Sequence, residues 1–493
     1  MRNQVQLITY ADRLSQGVPG LAQLLRGPLR GLFGAVHILP FFYPIDGSDA
    51  GFDPIDHTQV DPRLGTWRDI EALTHEVDVL ADVIVNHISA DSAQFRDYLQ
   101  RGEDSQFSGL FLTLDKVFPQ GASVLDLEAI YRPRPGRPFT RVHFANGEER
   151  ELWTTFSSNQ IDIDVRHPQG AAYLERILDT FSANGIRMIR LDAVGYAIKK
   201  AGSSCFMMPE TFDFISEFGA RARDRKIESL VEVHAYFRKQ IDIGAHVDWV
   251  YDFALPPLIL HAFAFGTARY LKEWIRIRPT NALTVLDTHD GIGIIDIGAD
   301  RSGPEDHPGL VPDQELDRLV EIIHRNSHNQ SRLATGTAAS NLDLYQINCT
   351  FYDAMRREDR RYLLARAVQF FLPGIPQVYY VGLLAGTNDM ELLARTGVGR
   401  DINRHHYSAE EVADSLRRPV VMRLLELIRL RNSHPAFGGK FELAECADEI
   451  LDVRWVNGEE IARLRVDFVS AAYELSYTQA GRLASFTMEA RAL

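Results

Sequence analysis

The chain has 493 residues, of which 45% are hydrophobic and 24% charged, an ordinary composition for a globular protein with a large core and more than one domain. Its 53 basic and 67 acidic side chains give a net charge of −14, which disfavours nucleic acid as a partner but allows a small anionic substrate where arginines are concentrated. The sequence shows no membrane-length apolar run, no signal-peptide pattern and no CxxC pair among its three cysteines, so we expect a cytoplasmic protein without disulfides or a thiolate metal site.

Short apolar runs with strand-like composition recur along the chain, and helix-period segments lie between them. We predict strands at residues 5–11, 35–42, 79–87, 186–194, 229–236, 248–255, 281–290 and 374–382. Helices are predicted at residues 67–77, 171–185 and 210–225. Gly185 stands where a glycine would end the second of these helices.

The alternation of eight strands with helices predicts a parallel sheet, and eight is the number that closes a (β/α)₈ barrel. A doubly wound open sheet is the structural alternative. Several predicted strands end in polar residues, namely Asn86 and His87, Asp192, Glu232 and His234, and His289 and Asp290. In a barrel, these carboxyl ends form the active-site face.

Two connections are too long to be simple loops, and we expect both to cover the carboxyl face of the barrel. The predicted fold class is α/β, a (β/α)₈ TIM barrel with two inserted loop-rich subdomains and a small C-terminal β domain. The barrel is expected to comprise residues 1–87, 167–290 and 356–434, the inserted domains residues 88–166 and 291–355, and the β domain residues 435–493.

Three carboxylates at different strand ends indicate glycoside chemistry, in which one carboxylate attacks the anomeric carbon and a carboxylic acid protonates the leaving oxygen. Arg190 shares a strand face with Asp192, and a neighbouring cation favours the ionised form that a nucleophile needs. Apolar sequence neighbours favour the protonated form of Glu232, which suits a general acid. Asp290 supplies the third negative group, for substrate binding or transition-state stabilisation.

Each of these residues also has a structural interpretation when it is considered alone. A strand-end aspartate often caps a helix or lies in a solvated turn, and "TVLDTHD" is compatible with an ordinary polar turn. A glutamate inside a strand is rarer, because its burial is costly without a partner. The occurrence of all three on separate strands favours catalysis, and we expect His87 to contact a ligand.

Four segments, "DVIVNH" (82–87), "IRLDAV" (189–194), "LVEVH" (230–234) and "LDTHD" (286–290), resemble the ordered sequence regions of the α-amylase superfamily, glycoside hydrolase family 13. The resemblance implies that Asp192 is the nucleophile, Glu232 the acid/base and Asp290 the transition-state stabiliser. It also implies that His87, Arg190 and His289 line the glucose subsite.

Within that family the chain resembles the sucrose phosphorylase group, through stretches such as "HILPFFYPIDGSDAGFDPIDH", "YRPRPG" and "LDAVGYAIKKAGSSCFM". This similarity runs from residue 5 to about residue 407, and beyond about residue 430 we expect little resemblance. Carried over position by position, it implies that Asp49 and Arg400 bind the far hydroxyls of glucose, that Phe52 and Phe156 pack on the sugar, and that Gln160 is among the substrate-binding residues. It implies that Tyr196 lies near the acceptor side. It also implies that fructose is contacted by His234, Asp343 and Gln346, and phosphate by Arg134 and Tyr345.

The activity that the resemblance implies is reversible, retaining transfer of glucose from sucrose to inorganic phosphate, which yields fructose and α-D-glucose 1-phosphate. It implies no cofactor and no metal, and we expect a monomer or homodimer that acts without nucleic acid or membrane. The alternatives are a phosphorylase of sucrose 6′-phosphate, glucosylglycerol or glucosylglycerate, a hydrolase of sucrose or another α-glucoside, and a non-catalytic barrel. A non-catalytic barrel is disfavoured because all three carboxylates are present.

Overall fold

Eight parallel strands close into a barrel in the computed structural model, which describes residues 1–47, 49–132, 136–301, 306–336 and 346–489. The strands are β1 (Gln6–Thr9), β2 (Ala35–Ile38), β3 (Asp78–Ile84), β4 (Met188–Asp192), β5 (Glu228–Val231), β6 (Trp249–Asp252), β7 (Ala282–Thr284) and β8 (Ile375–Tyr379). Each pairs with the next along the chain, and β8 pairs with β1. The predicted barrel is therefore confirmed and the open sheet is excluded, although every predicted strand extended too far at its carboxyl end.

Helices alternate with the strands along the chain. Their bounds are Ala11–Leu14, Gly17–Arg26, Trp67–Thr74, Pro168–Ala183, Pro209–Asp224, Phe237–Gly244, Leu255–Phe265, Arg269–Ile277, Asp313–Asn326, Gln330–Gly336, Phe351–Ala354, Asp359–Phe371, Tyr380–Leu383, Met390–Thr396, Ala409–Arg417 and Pro419–Ser433. Across the described ranges, no helix is both long and apolar enough to cross a membrane.

The helix that precedes β4 ends in a Schellman motif, as the position of Gly185 predicts. Gly185 has a φ of +79°, and the amide of Ile186 donates a 3.0 Å hydrogen bond back to the carbonyl of Phe181. This turn places the chain directly into β4, the strand that carries Arg190 and Asp192.

The long connections contain short elements of their own. The connection after β3 contains the helices Ala93–Arg101, Leu114–Val117 and Val124–Ala129 and the strands His87–Ser89, Phe139–His143, Glu149–Trp153 and Gln160–Asp162. A hairpin of Phe42–Tyr43 and Asp56–Val60 follows β2, and after β7 the strand Ile292–Gly293 pairs with Gln346–Ile347. These short pairings bring distant segments over the carboxyl face of the barrel.

The C-terminal part forms a five-stranded antiparallel sheet of Lys440–Leu443, Ile450–Asn457, Glu460–Asp467, Tyr473–Gln479 and Arg482–Ser485. It contacts the barrel through Trp455, whose indole N–H donates a 2.7 Å hydrogen bond to the carbonyl of Phe371. The ring of Phe371 also lies 5.1 Å from that of Phe437. The sheet lies against the helix Asp359–Phe371, away from the carboxyl ends of the strands.

Side chains inside the barrel form layers, because alternate residues of each strand point inward. One layer is apolar and comprises Ala35, Leu80, Met188, Leu230, Tyr251 and Leu283. Two residues further along β2, β3 and β4, the inward positions carry His37, Asp82 and Arg190. The strand register pairs Asp82 with Arg190, so a charged layer lies between the apolar core and the strand ends.

We expect Gly185→Ala to lower the free energy of unfolding by about 1–2 kcal/mol, because alanine is strained at positive φ. A methyl group there would also lie 2.9 Å from Thr74 Oγ1. Denaturant unfolding measures the change. Gly202→Ala is the matched control for backbone strain alone, since its φ is +70° and no atom lies within 4 Å of the added methyl; Gly185→Ala should be at least as destabilised as this control, and a Gly185 variant as stable as the wild type would contradict the prediction.

Candidate active site

Most of the predicted site residues line one pocket at the carboxyl ends of the barrel strands. They are Asp49, Phe52, His87, Phe156, Asp192, Tyr196, Glu232, His234, His289, Asp290, Gln346 and Arg400. Arg190 and Gln160 lie directly behind them and contact Asp192 and Asp49, respectively. Arg134, Asp343 and Tyr345 fall outside the described residues.

Arg190 is the buried cation around which the carboxylates are arranged. Its Nη1 donates hydrogen bonds of 2.5 Å to Asp82 and 2.9 Å to Asp192, and its Nη2 lies 3.6 Å from Glu232 Oε1. Asp82 is in turn 3.0 Å from His37 Nε2. Arg190 and Asp192 share a face because strand side chains alternate. The guanidinium is therefore held by Asp82 from β3 and by Asp192 from its own strand.

Asp192 and Glu232 are electrostatically linked through this shared guanidinium. Burial raises the pKa of Asp192 well above its usual range, Arg190 opposes the rise, and Glu232 adds to it. Arg190 donates its direct hydrogen bond to Asp192 and only approaches Glu232, so the guanidinium favours the ionised form of Asp192.

The apolar surroundings expected for Glu232 are not found. Its carboxylate lies just beyond the end of β5, with Arg190 on one side and His234 Nε2 at 3.9 Å from Oε1. The apolar sequence neighbours of Glu232 failed as a guide because adjacent residues of a strand point to opposite faces.

Asp290 is held as an anion by arginines that follow β8. It lies in the loop beyond β7 and not at the strand end as predicted, because β7 already ends at Thr284. Burial alone would raise the pKa of Asp290, but Arg400, His289 and Arg404 lower it below its usual range. Arg400 Nη1 is 2.8 Å from Asp290 Oδ1.

His87 and His289 form an uncharged end of the pocket, because burial lowers the pKa of both rings. The ring of His289 stacks on Phe52 at 5.0 Å between centroids. His87 Nε2 lies 3.0 Å from the carbonyl of Phe52 and 3.0 Å from Gln160 Nε2. Gln160 also donates a 3.1 Å hydrogen bond to Asp49, so this end offers polar atoms beside aromatic faces, a combination suited to a sugar.

An aromatic wall faces the other side of the pocket. Tyr196 contacts Phe156 at 5.1 Å and Phe206 at 4.7 Å between ring centroids, and Phe206 stacks on Tyr131 at 4.6 Å. Sequence reasoning missed Phe206, although it lies in the stretch "LDAVGYAIKKAGSSCFM" that supported the resemblance. The Phe206 ring packs against Gly195, where a methyl group would lie 2.8 Å from the ring. The glycine next to Tyr196 is therefore the sequence feature that could have indicated a side chain packed at this point.

One ligand atom from each of Glu232, His234 and Asp290 lies within 4.8 Å of the others, a spacing that a metal ion could bridge. A cation at that point would face the Arg400 guanidinium, which already lies against Asp290. We therefore interpret this cluster as a proton-transfer and sugar-binding arrangement.

Lys199 is a buried cation that joins three segments around the pocket. Its ammonium group lies 2.8 Å from Asp162 and donates a 2.8 Å hydrogen bond to Asn86 Oδ1. It also donates a hydrogen bond to the carbonyl of Tyr196. Lys199 thus holds the end of the connection after β3 against the loop that carries Tyr196, a role that its sequence position did not reveal.

Comparisons with known proteins place this geometry among carbohydrate-active enzymes. A family model described as "Alpha amylase, catalytic domain" matches residues 31–243. The sucrose phosphorylase of Agrobacterium vitis is 60% identical over 469 residues, 95% of this chain and 96% of the relative. That of Bifidobacterium adolescentis is 53% identical over 456 residues, 92% of this chain and 90% of the relative.

A solved structure, the sucrose 6F-phosphate phosphorylase from Thermoanaerobacter thermosaccharolyticum, superposes with a TM-score of 0.91 at 37% identity and covers 99% of this chain and 98% of that one. An alignment of 469 residues cannot end near residue 430. The expectation of little resemblance beyond that point was wrong, because the motifs that supported the resemblance all lie in the catalytic part of the chain and left the β domain unrepresented.

We expect Lys199→Met to lower the free energy of unfolding by about 3–5 kcal/mol, because it leaves the buried carboxylate of Asp162 without a counter-charge. Denaturant unfolding is the measurement. The neighbouring Lys200→Met is the matched control: Lys200 is exposed and pairs with Glu210, so its loss should change stability by about 1 kcal/mol or less. Equal effects of the two substitutions would contradict the prediction.

Proposed function

This chain belongs to the sucrose phosphorylase family within the α-amylase superfamily, and on that premise we propose that it transfers glucose from sucrose to inorganic phosphate. The observation that carries the proposal is the convergence of Asp192, Glu232 and Asp290 on one pocket. Arg190, hydrogen-bonded to Asp192, supports a nucleophilic role for that carboxylate.

In the first half-reaction, an oxygen of Asp192 attacks the anomeric carbon of the glucosyl group, and the bond from that carbon to the fructosyl oxygen breaks. Glu232 gives its proton to the departing oxygen, so fructose leaves as a neutral sugar. Asp290 stabilises the positive charge that develops on the ring. The product of this step is a glucosyl ester of Asp192.

In the second half-reaction, phosphate occupies the place that fructose has left. Glu232, now a carboxylate, takes a proton from phosphate as a phosphate oxygen attacks the anomeric carbon, and Asp192 is released. Two displacements at one carbon retain its configuration, so the product is α-D-glucose 1-phosphate. The same steps in reverse form sucrose from this product and fructose.

The remaining predicted site residues are proposed to position the substrates. Asp49, Gln160, Arg400, His87 and His289 bind glucose hydroxyls, Phe52 and Phe156 pack on the ring, Tyr196, His234, Asp343 and Gln346 contact fructose, and Arg134 and Tyr345 bind phosphate. We further infer that residues 88–166 and 291–355 act as two inserted domains that roof the site. The cytoplasmic location, the independence from membranes and a monomeric or homodimeric state stay predictions.

We favour sucrose over related donors because two sucrose phosphorylases, those of Agrobacterium vitis and Bifidobacterium adolescentis, are 60% and 53% identical to this chain, whereas the sucrose 6F-phosphate phosphorylase of known structure is 37% identical. A hydrolase of the same mechanism would accept water in place of phosphate.

Incubation with sucrose, with and without phosphate, separates the proposed activity from hydrolysis. We expect α-D-glucose 1-phosphate and fructose in the presence of phosphate, and slow release of glucose in its absence. Both products are measured by chromatography. Glucose formation at the same rate in both reactions, without glucose 1-phosphate, would show that the protein is a hydrolase.

Substitutions of the two central carboxylates should have different consequences. Asp192→Ala should lower the rate by several orders of magnitude with any donor, because covalent catalysis is removed. Glu232→Gln should lower kcat on sucrose by roughly 10²–10⁴-fold but retain cleavage of α-glucosyl fluoride, whose leaving group needs no proton.

Initial rates with both donors are the measurement, and Asp414→Asn on an exposed helix is the control with unchanged activity. Full sucrose turnover by either central variant would contradict the assigned roles.

A further inference from the structure

His234 and Asp296 form a buried pair beside the pocket. His234 Nδ1 lies 2.8 Å from Asp296 Oδ2. The other oxygen of Asp296 accepts hydrogen bonds of 3.1 Å from the amide of Ala235 and 2.8 Å from Gln240 Nε2. These two donors fix the carboxylate, so its second oxygen is directed at the imidazole.

Gly293 makes room for this pair. A methyl group at Gly293 would lie 2.0 Å from Asp296 Oδ2 and 2.8 Å from His234 Nδ1, closer than any real contact of this kind. On its other face the His234 ring stacks on Phe253, with 3.9 Å between centroids and 15° between planes. The orientation of the ring is therefore determined by packing as well as by the carboxylate.

The free nitrogen of His234 points into the pocket next to the proposed acid/base. Its Nε2 is buried and has no hydrogen-bond partner among the residues that the structure describes. It lies 3.9 Å from Glu232 Oε1. A group next to the acid/base faces the oxygen of the leaving or entering molecule, so Nε2 lies on the acceptor side.

His234 differs from the two other histidines of the pocket in its charge. Burial alone would lower the pKa of His234, but Asp296, Glu232 and Asp290, the acidic groups that face it in the described structure, raise it above its ordinary value. Burial prevails at His87 and His289, where the pKa is lowered. The difference follows from the direct ion pair with Asp296.

The entry of phosphate beside Asp192, Glu232 and Asp290 requires positive charge on the acceptor side. Arg190 donates to Asp82 and Asp192, and Arg400 lies against Asp290, so both guanidinium groups already point at carboxylates. His234 instead pairs with Asp296 through Nδ1 and lines the pocket with a second nitrogen, Nε2, that makes no hydrogen bond among the described residues.

We propose that Asp296 is a positioning residue that holds His234 as an imidazolium with Nε2–H directed at the acceptor side, where it binds an oxygen of the phosphate dianion. This inference rests on the proposed function. Asp296 touches neither substrate and acts only through His234. The charge serves the second half-reaction, and water as an acceptor does not need it.

The decisive substitution is Asp296→Asn in the full-length protein. Its amide oxygen keeps the hydrogen bonds from Ala235 and Gln240, while its NH₂ group turns towards His234 and favours the neutral ring protonated at Nε2. The variant thus keeps the donor and loses the charge. We expect KM for phosphate to rise about tenfold or more, as when a charge-assisted hydrogen bond loses its charge, while hydrolysis of α-glucosyl fluoride without phosphate, which involves no fructose contact, changes less than about twofold.

The pH dependence supplies a second readout. The charge on His234 is present below its raised pKa and is lost as the pH rises through it. The difference in KM for phosphate between wild type and Asp296→Asn should therefore shrink with increasing pH. Asp300→Asn, in the same loop and paired with Lys239 at 3.2 Å, is the matched control and should leave KM for phosphate unchanged.

A double-mutant cycle tests whether Asp296 acts through His234. His234→Gln should raise KM for phosphate by a similar factor, and Asp296→Asn should add nothing in that background. Additive effects of the two substitutions, an unchanged KM for phosphate, or an equally large loss of α-glucosyl fluoride hydrolysis without phosphate would overturn the proposal. An NMR titration of the imidazole nitrogens of His234 in the wild-type protein gives a readout that does not depend on how the variants fold. A His234 ring that is neutral below pH 6.5, the ordinary pKa of histidine, would also overturn the proposal.

Failure of the inference is distinguishable from failure of the proposed function. A wild-type protein that forms no glucose 1-phosphate from sucrose refutes the function itself, before any variant is compared.

Discussion

The ion pair between Arg190 and Asp82 inside the barrel is the interaction on which the site depends. A guanidinium buried this deeply requires carboxylates around it, and the register of β3 and β4 supplies Asp82 as its direct partner. The nitrogen that donates to Asp82, Nη1, also donates to Asp192, and Nη2 approaches Glu232. The proposed nucleophile and acid/base are thus oriented by one group that is itself held by the barrel.

From that centre, the charges of the pocket are arranged asymmetrically. The neutral rings of His87 and His289 lie beside Phe52, where a sugar needs hydrogen bonds and apolar faces but no net charge. Arg400 balances Asp290, and His234 carries the charge offered to the acceptor. One pocket can therefore hold a neutral glucosyl group and admit a dianion next to carboxylates.

The sequence predicted the barrel, the order of its strands and the strand-face relation of Arg190 and Asp192, because these follow from local periodicity. It was less accurate where a strand ends. β7 stops at Thr284, and Asp290 reaches the pocket through a loop, where it pairs with Arg400. The polar surroundings of Glu232 were also missed, since they come from β4 and from His234 and not from its apolar sequence neighbours.

The sequence by itself determined which three carboxylates meet in the pocket, because carboxylates that follow separate barrel strands have one common face on which to meet. Only the tertiary structure decided their charges and their supports. Asp296 lies 62 residues from His234, and Lys199 lies 113 residues from Asn86, so no local pattern links these pairs. Their effect depends on burial and on distances of about 3 Å, which exist only when the loops after different strands are folded together.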